Sequence, residues 1–286
     1  MLLSPVLSSN VTFSIVATDG TAWGVAVASK FLAVGSAVPA AAAGVGAIAT
    51  QSYANLAYRP DGLALMREGK SAPQTLDALT AADDGREQRQ AGIVDRDGNA
   101  ATFTGTACHD WAGGRSGPSY AIQGNILTGP DVVDSMERAW LGTESRQPLA
   151  RRLLAALAAG DAAGGDRRGR QSAAVLVASN EGGYAGSSDI VMDLRVDDSP
   201  APVPELVRLM NLHDLYFGRT DPDATVALEG ELADEVRHRL GELGHTHADL
   251  DAALADWAGV ENFEERMLAG RIDPVVLDQL RQRTNR

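Results

Sequence analysis

Residues 12–29 read TFSIVATDGTAWGVAVAS. The alternation in TFSIVA, its interruption by Asp19-Gly20 and its resumption in the extended AWGVAVAS pattern specify a β-hairpin. Two further runs of small apolar residues, 38–43 and 45–50, flank Gly44 and suit buried strands whose missing bulk lets another layer approach. Helices are expected over 60–68 and 71–82, the second from the spacing of Leu76 and Leu79. Segments 88–95 and 99–103 read as strands joined by the turn RDGN, followed by a long polar loop, TGTACHDWAGGRSGPS, and a short strand within YAIQGNIL. Helices then start near Asp131, where Val132, Val133, Met136, Ala139 and Trp140 form one apolar stripe, and near Gln147. Segments 172–179 and 189–196 close the series as strands. Strands, helices, strands, helices, strands is the order of a layered α+β or α/β domain with helices on two faces of paired sheets.

Composition changes abruptly at DDSPAPVPE, residues 197–205, a proline-rich acidic linker. Helix is expected in five stretches beyond it: 206–217, 230–243, 247–257, 263–269 and 274–283. The chain therefore divides into domains at 1–197 and 205–286, and the second carries 17 acidic against 9 basic residues.

A length of 286 residues with 44% hydrophobic content can furnish a sizeable core. The net charge of −13 and the lack of clustered Lys and Arg argue against a nucleic-acid partner. The single arginine-rich patch, GDRRGR at 165–170, reads as a solvated turn. One cysteine, Cys108, excludes an intramolecular disulfide and a cysteine-based zinc cluster, and fits a reducing, cytoplasmic setting. MLLSPVLSSN has no basic region and no adequate apolar run, and the alanine-rich 34–49 is too short and broken to span a bilayer, so no membrane partner is expected.

Chemistry is most concentrated in 105–129, GTACHDWAGGRSGPSYAIQGNILTG, a glycine-rich stretch holding Cys108, His109, Asp110, Gln123 and Asn125. Cys108 reads either as a nucleophile beside a base or as a half-buried small apolar residue, since adjacent residues rarely face each other. Gln123 and Asn125 either supply amide donors to an oxyanion or satisfy loop backbone groups. Lys30 is one of two lysines against 23 arginines, which singles out its titratable amine; the alternative is a solvated strand end. Gln51 and Ser52 stand where a strand runs out. His245 and His247, near Asp249 and Asp251, lack the spacing of a metal site, and no metal or other cofactor is expected.

TFSIVATDG, GVAVASKFLAVGSAVPAAAAGVGAIATQSYAN and the 105–129 string together resemble the family known as domain of unknown function 1028, grouped with the N-terminal nucleophile (Ntn) hydrolases. The likeness runs over 11–196. The tail, with LHDLYFGRTDP, LEGELADEVRHRL and RIDPVVLDQL, resembles the helical module often attached to that family and labelled peptidoglycan-binding. The resemblance implies a four-layer αββα sandwich followed by a small all-α domain. It also implies hydrolysis of an amide or peptide-like C–N bond, with Thr12 as nucleophile by its position at the head of the first strand. In that scheme the freed α-amine of Thr12, with an ordinary pKa near 8, serves as the base. Eleven residues precede Thr12, so the Val11–Thr12 bond must first be cut. The expectation is a hydrolase of a small amide, lactam or peptide-like molecule, using Thr12 with Ser29, Lys30, Cys108 and Asn125, and with Gln51, Ser52, His109, Asp110 and Gln123 around the substrate. Homodimer formation suits the apolar tail helices. The contrasting expectation is a binding or scaffold protein that keeps the shape without the chemistry.

Overall fold

The computed structural model describes residues 12–218 and 220–285. The expected hairpin forms: β1 (Thr12–Thr18) pairs antiparallel with β2 (Ala22–Ser29). Its turn is held by Asp19, whose Oδ1 accepts from the amides of Thr21 and Ala22, while Gly20 takes φ 91°. That left-handed conformation costs glycine least.

The chain continues through α1 (Val34–Ala37), β3 (Pro39–Ala42), β4 (Gly46–Ser52), α2 (Tyr58–Arg67) and α3 (Ala72–Ala81). A capping box starts α3: the Ser71 hydroxyl accepts from the Gln74 amide, and the Gln74 side chain accepts from the Ser71 amide. Next come β5 (Arg89–Asp95), β6 (Ala100–Thr104), β7 (Gly113–Gly117), β8 (Tyr120–Asn125), α4 (Asp131–Gly142), α5 (Leu149–Ala162), β9 (Ser172–Ser179) and β10 (Ile190–Val196).

Two antiparallel sheets result, one in the order β10-β9-β2-β1-β8-β7 and the other β3-β4-β5-β6. Helices α4 and α5 pack on the first sheet, α2 and α3 on the second, and the sheets face each other through β1, β4, β5 and β8. This is the four-layer αββα sandwich. Strand alternation assigns each side chain a layer. Phe13 points to the helical side, where its ring reaches Gly160 and Gly165, whereas Ser14 points to the other sheet and donates to Gln51 Oε1 at 2.6 Å. Between the sheets, Val16, Val25, Val27, Ala47, Ala49 and Val94 form a dry core at one end. Burying each such valine contributes about 1.5–3 kcal/mol.

One strand of the two large sheets was not anticipated. Residues 113–117, GGRSG, belong to the expected polar loop, yet they form the edge strand β7 against β8. Glycines at 113 and 114 carry no apolar alternation to betray a strand, and pairing with β8 alone holds them.

The chain divides into two compact units at 208/209. Helix α6 (Pro202–Phe217) begins before this division. The second unit contains β11 (Val226–Ala227), α7 (Gly230–Glu242), α8 (Leu250–Glu261), β12 (Arg271–Ile272) and α9 (Pro274–Thr284). Val236, Leu240, Leu254, Trp257, Phe263, Ile272, Val276 and Leu280 form its core. The helix expected at 263–269 is instead a single 3-10 turn, Glu264–Arg266, followed by β12. Asn262 ends α8 at φ 62°, and the Arg266 guanidinium reaches Asp273 and the carbonyls of Asp214 and Leu215, fixing a compact bend. Among the described residues no helix is long and apolar enough to cross a membrane.

Candidate active site

The inter-sheet layer changes character along its length. Where Val16 and Val25 make a dry core at one end, the same strand faces at the other end present Thr12, Ser14, Gln51, Gln90, Thr102, Gln123 and Asn125. The register explains the gathering: Thr12 lies opposite Asn125, Ser14 opposite Gln123, Gln51 opposite Gln90 and Gly92 opposite Thr102. Residues two apart on a strand share a face, so two polar positions on each of β1 and β8, with one each from β4, β5 and β6, build one layer.

The amides in that layer are bonded into a network. Gln90 is its hub: Nε2 donates to the carbonyls of Gly124 at 2.7 Å and Gly113 at 3.3 Å, which fixes the other end as oxygen. Gln90 Oε1 accepts from Gln51 Nε2 at 2.8 Å and from Asn125 Nδ2 at 2.9 Å. Gln51 Nε2 also donates to Thr12 O, and Gln123 Nε2 donates to Ser14 Oγ at 2.7 Å. With its Nδ2 given to Gln90, Asn125 presents Oδ1 as a buried acceptor without a donor among the described residues. Gly92 makes room for this network, since a Cβ there would stand 2.0 Å from Gln123 Oε1.

Thr12 heads β1, is 2% exposed, and donates through Oγ1 to Ser29 Oγ at 3.3 Å. It also lines a cavity of about 180 Å³ together with Gln51, Ser52 and apolar side chains from α1 and its flanks. A larger hollow of about 500 Å³ lies at the other end of β1, beside Thr18, Asp19, Ser119, Trp140 and Arg152. There the Arg152 guanidinium lies 3.9 Å from the Trp140 ring centre. The smaller cavity is the candidate site because a nucleophilic hydroxyl stands on its wall.

Of the residues expected in the site, Thr12, Ser29, Gln51 and Ser52 come together, and Asn125 lies beside them by register. Gln123 is drawn into the amide network, so its donors go to Ser14 rather than to a substrate. The amide of Gln51 is likewise committed to Thr12 O, Gln90 and Gln123 O, and only its position on the cavity wall remains relevant to a ligand. Lys30 does not join the set. Its backbone amide donates to Asp166 at 2.6 Å, and its Nζ turns outward to the Arg170 carbonyl at 3.2 Å. The carbonyl of Arg170 and the carboxylate of Asp166 hold it at the strand end.

Cys108 is buried and lines no wall of this cavity. Its Sγ donates to Arg89 O at 3.4 Å, and burial pushes its pKa up, an effect larger than the downward pull of the neighbouring Ser52 side chain. That is the reverse of an activated thiolate, so the small-apolar reading fits Cys108 better. His109 stands beside Tyr53, with Nε2 3.5 Å from the phenol oxygen, and Asp110 is exposed on the same loop. Neither reaches the Thr12 cavity wall. In the second unit His245 Nδ1 lies 2.6 Å from Asp256, and His247 Nδ1 accepts from the Asp249 amide. Val11, and with it the Val11–Thr12 bond, lies outside the described residues.

Ser14 and Gln90 escaped the sequence reading. A polar side chain two positions from Thr12, and a glutamine inside the strand RQAGIVD, were the signals that same-face parity could have caught.

No curated protein matches the chain. Residues 216–280 match a model described as "Putative peptidoglycan binding domain". A crystal structure of a DUF1028-family protein from Silicibacter pomeroyi is 30% identical, with a TM-score of 0.63 over 79% of this chain and 93% of that one. Anbu, the ancestral β-subunit from Yersinia bercovieri, is 12% identical with a TM-score of 0.33, over 70% of this chain and 93% of that one, a likeness too slight to argue from. Residues 12–206 match the model described as "Family of unknown function (DUF1028)", and the chain belongs to that family.

Proposed function

We propose that the first unit hydrolyses a C–N bond in a small amide, lactam or peptide-like substrate, with Thr12 as nucleophile in the manner of Ntn hydrolases. The observation that carries this reading is the Thr12 hydroxyl itself: buried at the head of β1, hydrogen-bonded to Ser29, and on the wall of a cavity. The family match beginning at Thr12 supports it. Cleavage between Val11 and Thr12 frees an α-amine whose pKa near 8 suits it to take the hydroxyl proton at neutral pH. Oγ1 then attacks the substrate carbonyl carbon, the C–N bond breaks, and the proton passes to the departing nitrogen. Water completes the cycle by cleaving the Thr12 ester, its proton returning through the α-amine to Oγ1. Ser29 orients the attacking hydroxyl. Intact mass of the native protein tests the scheme: a chain starting at Thr12, and loss of amidase turnover in Thr12→Ala, are expected. A full-length chain with unaltered turnover in that variant overturns it.

A second reading is favoured by one observation, the outward turn of Lys30 to Arg170 O, which takes the expected cation away from Thr12. In it the fold is a non-catalytic binding or scaffold protein, and the helical tail serves ligand binding or dimerisation. Binding of labelled muropeptides to the full chain, without amidase turnover, would support this alternative.

A further inference from the structure

The Thr12 cavity has a chemical character that narrows what can enter it. Phe31, Val34, Ala37, Val38, Ala54 and Leu56 supply its apolar walls, and Gln51 and Ser52 its polar margin beside Thr12. Among the described residues no Lys, Arg, His, Asp or Glu lines it. An ionic group placed there would lose its hydration without a counter-charge. An uncharged group would instead gain by burying apolar surface.

Size narrows the choice further. About 180 Å³ is on the order of the ~150 Å³ apolar cavity that takes up one benzene-sized guest, enough for a short or branched aliphatic chain and too little for an aromatic-plus-peptide ligand. Leu56 is 47% exposed and marks the rim, so the ligand's far end meets an apolar lip.

Resting on the hydrolase reading for its chemistry but not for its binding, we infer that this cavity is an acyl pocket selective for a small, uncharged aliphatic group attached to the carbonyl carbon. Substrates of the class of short branched-chain amides, or peptide-like molecules with such a residue on the acyl side, fit it; dicarboxylate and diamine derivatives do not. Selectivity comes from the walls, while Thr12 addresses the carbonyl.

Binding and turnover are read separately. Ligand-observed NMR on a Thr12→Ala chain that begins at residue 12 would measure isobutyramide, isovaleramide, the charged monoamide of glutaric acid and lysinamide. The aliphatic amides are expected to bind at least tenfold more tightly than the charged pair. Leu56→Glu, at an exposed rim, is expected to reduce the aliphatic affinity at least fivefold with an unchanged melting temperature. Ala37→Phe, which fills the pocket, is expected to abolish it. Equal or tighter binding of the charged ligands, no detectable binding of the aliphatic ones, or indifference to both substitutions overturns the inference. Aliphatic binding without turnover in the unsubstituted protein leaves the pocket standing and removes the hydrolase reading. Turnover without acyl discrimination does the opposite.

Discussion

Thr12 Oγ1 donates to Ser29 Oγ across 3.3 Å, joining the first residue of β1 to the last residue of β2. Both hydroxyls are buried, at 2% exposure each. The bond therefore orients a hydroxyl at a place where free rotation would otherwise scatter it.

Ser29→Ala removes that acceptor and leaves Thr12 Oγ1 without it. Stability is expected to fall by about 1–2 kcal/mol in urea unfolding, the range for a buried hydroxyl losing its partner. If Thr12 is the nucleophile, kcat for an amide substrate is expected to drop by about tenfold or more, with KM within about twofold, since orientation of the attacking group is lost and the pocket is not. An unchanged kcat would separate Ser29 from the chemistry.

Gly92 is the place where a single methyl should do most damage. Its Cβ would meet Gln123 Oε1 at 2.0 Å, and that side chain is pinned by Ser14 and Thr102. Gly92→Ala is expected to cost about 2–3 kcal/mol, combining overpacking with broken amide bonds. Gly142→Ala, where nothing lies within 4 Å, is the control, and the two thermal midpoints should differ by several degrees.

Cys108 should be slow to react. Burial raises its pKa above the ordinary 9.0, so iodoacetamide at pH 8 is expected to label the native chain at least tenfold more slowly than the denatured one. Linkage fixes a sign as well. The unfolded chain gives up the thiol proton first, so the contribution of this group is complete below pH 9 and declines as pH climbs through the higher native value. Cys108→Ser should flatten that alkaline decline, and rapid labelling of native protein would contradict the burial argument.

Glu235 governs an acid response in the second unit. Side-chain bonds from Arg281 and Arg239 pull its pKa down to about 2 from the ordinary 4.5. A depressed carboxylate stabilises the folded state above its unfolded pKa, and that contribution is lost as pH falls from about 4.5 toward 2. Because the side chain is 29% exposed, salt should weaken the effect. Hydrogen exchange in α7 and α9 should quicken over this window in the native protein, and Glu235→Gln should show a shallower pH dependence.

The sequence made the hairpin, the helix pairs and the layered order legible because each rests on local signals. Asp19-Gly20 names its own turn, and Leu76 with Leu79 reports a period. The resemblance put Thr12 at the head of the first strand, and there the fold sets it against Ser29. Lys30 stands apart because scarcity says nothing of direction: only the tertiary fold places Arg170 O within reach of its amine. Adjacency told as little about the next three: Cys108 turns inward to Arg89 O, while His109 and Asp110 are exposed. Gln90 was hidden by the opposite difficulty. Its partners, Gly124, Gly113, Gln51 and Asn125, come from three other strands, and no window of sequence contains them. The edge strand β7 was hidden because glycine leaves no pattern.

An oily interface between two sheets tolerates sliding, because dispersion forces have no preferred direction and one methyl fills a gap much as another does. Carboxamides tolerate far less: shifting β4 by one residue would turn Gln51 away from Gln90 and take from Gln90 Oε1 one of its two amide donors. The glutamine layer thus works as a key that admits one alignment of the two sheets. It sits at the end of the sandwich where Thr12 stands, so the alignment of the whole domain is fixed closest to the hydroxyl whose placement matters most.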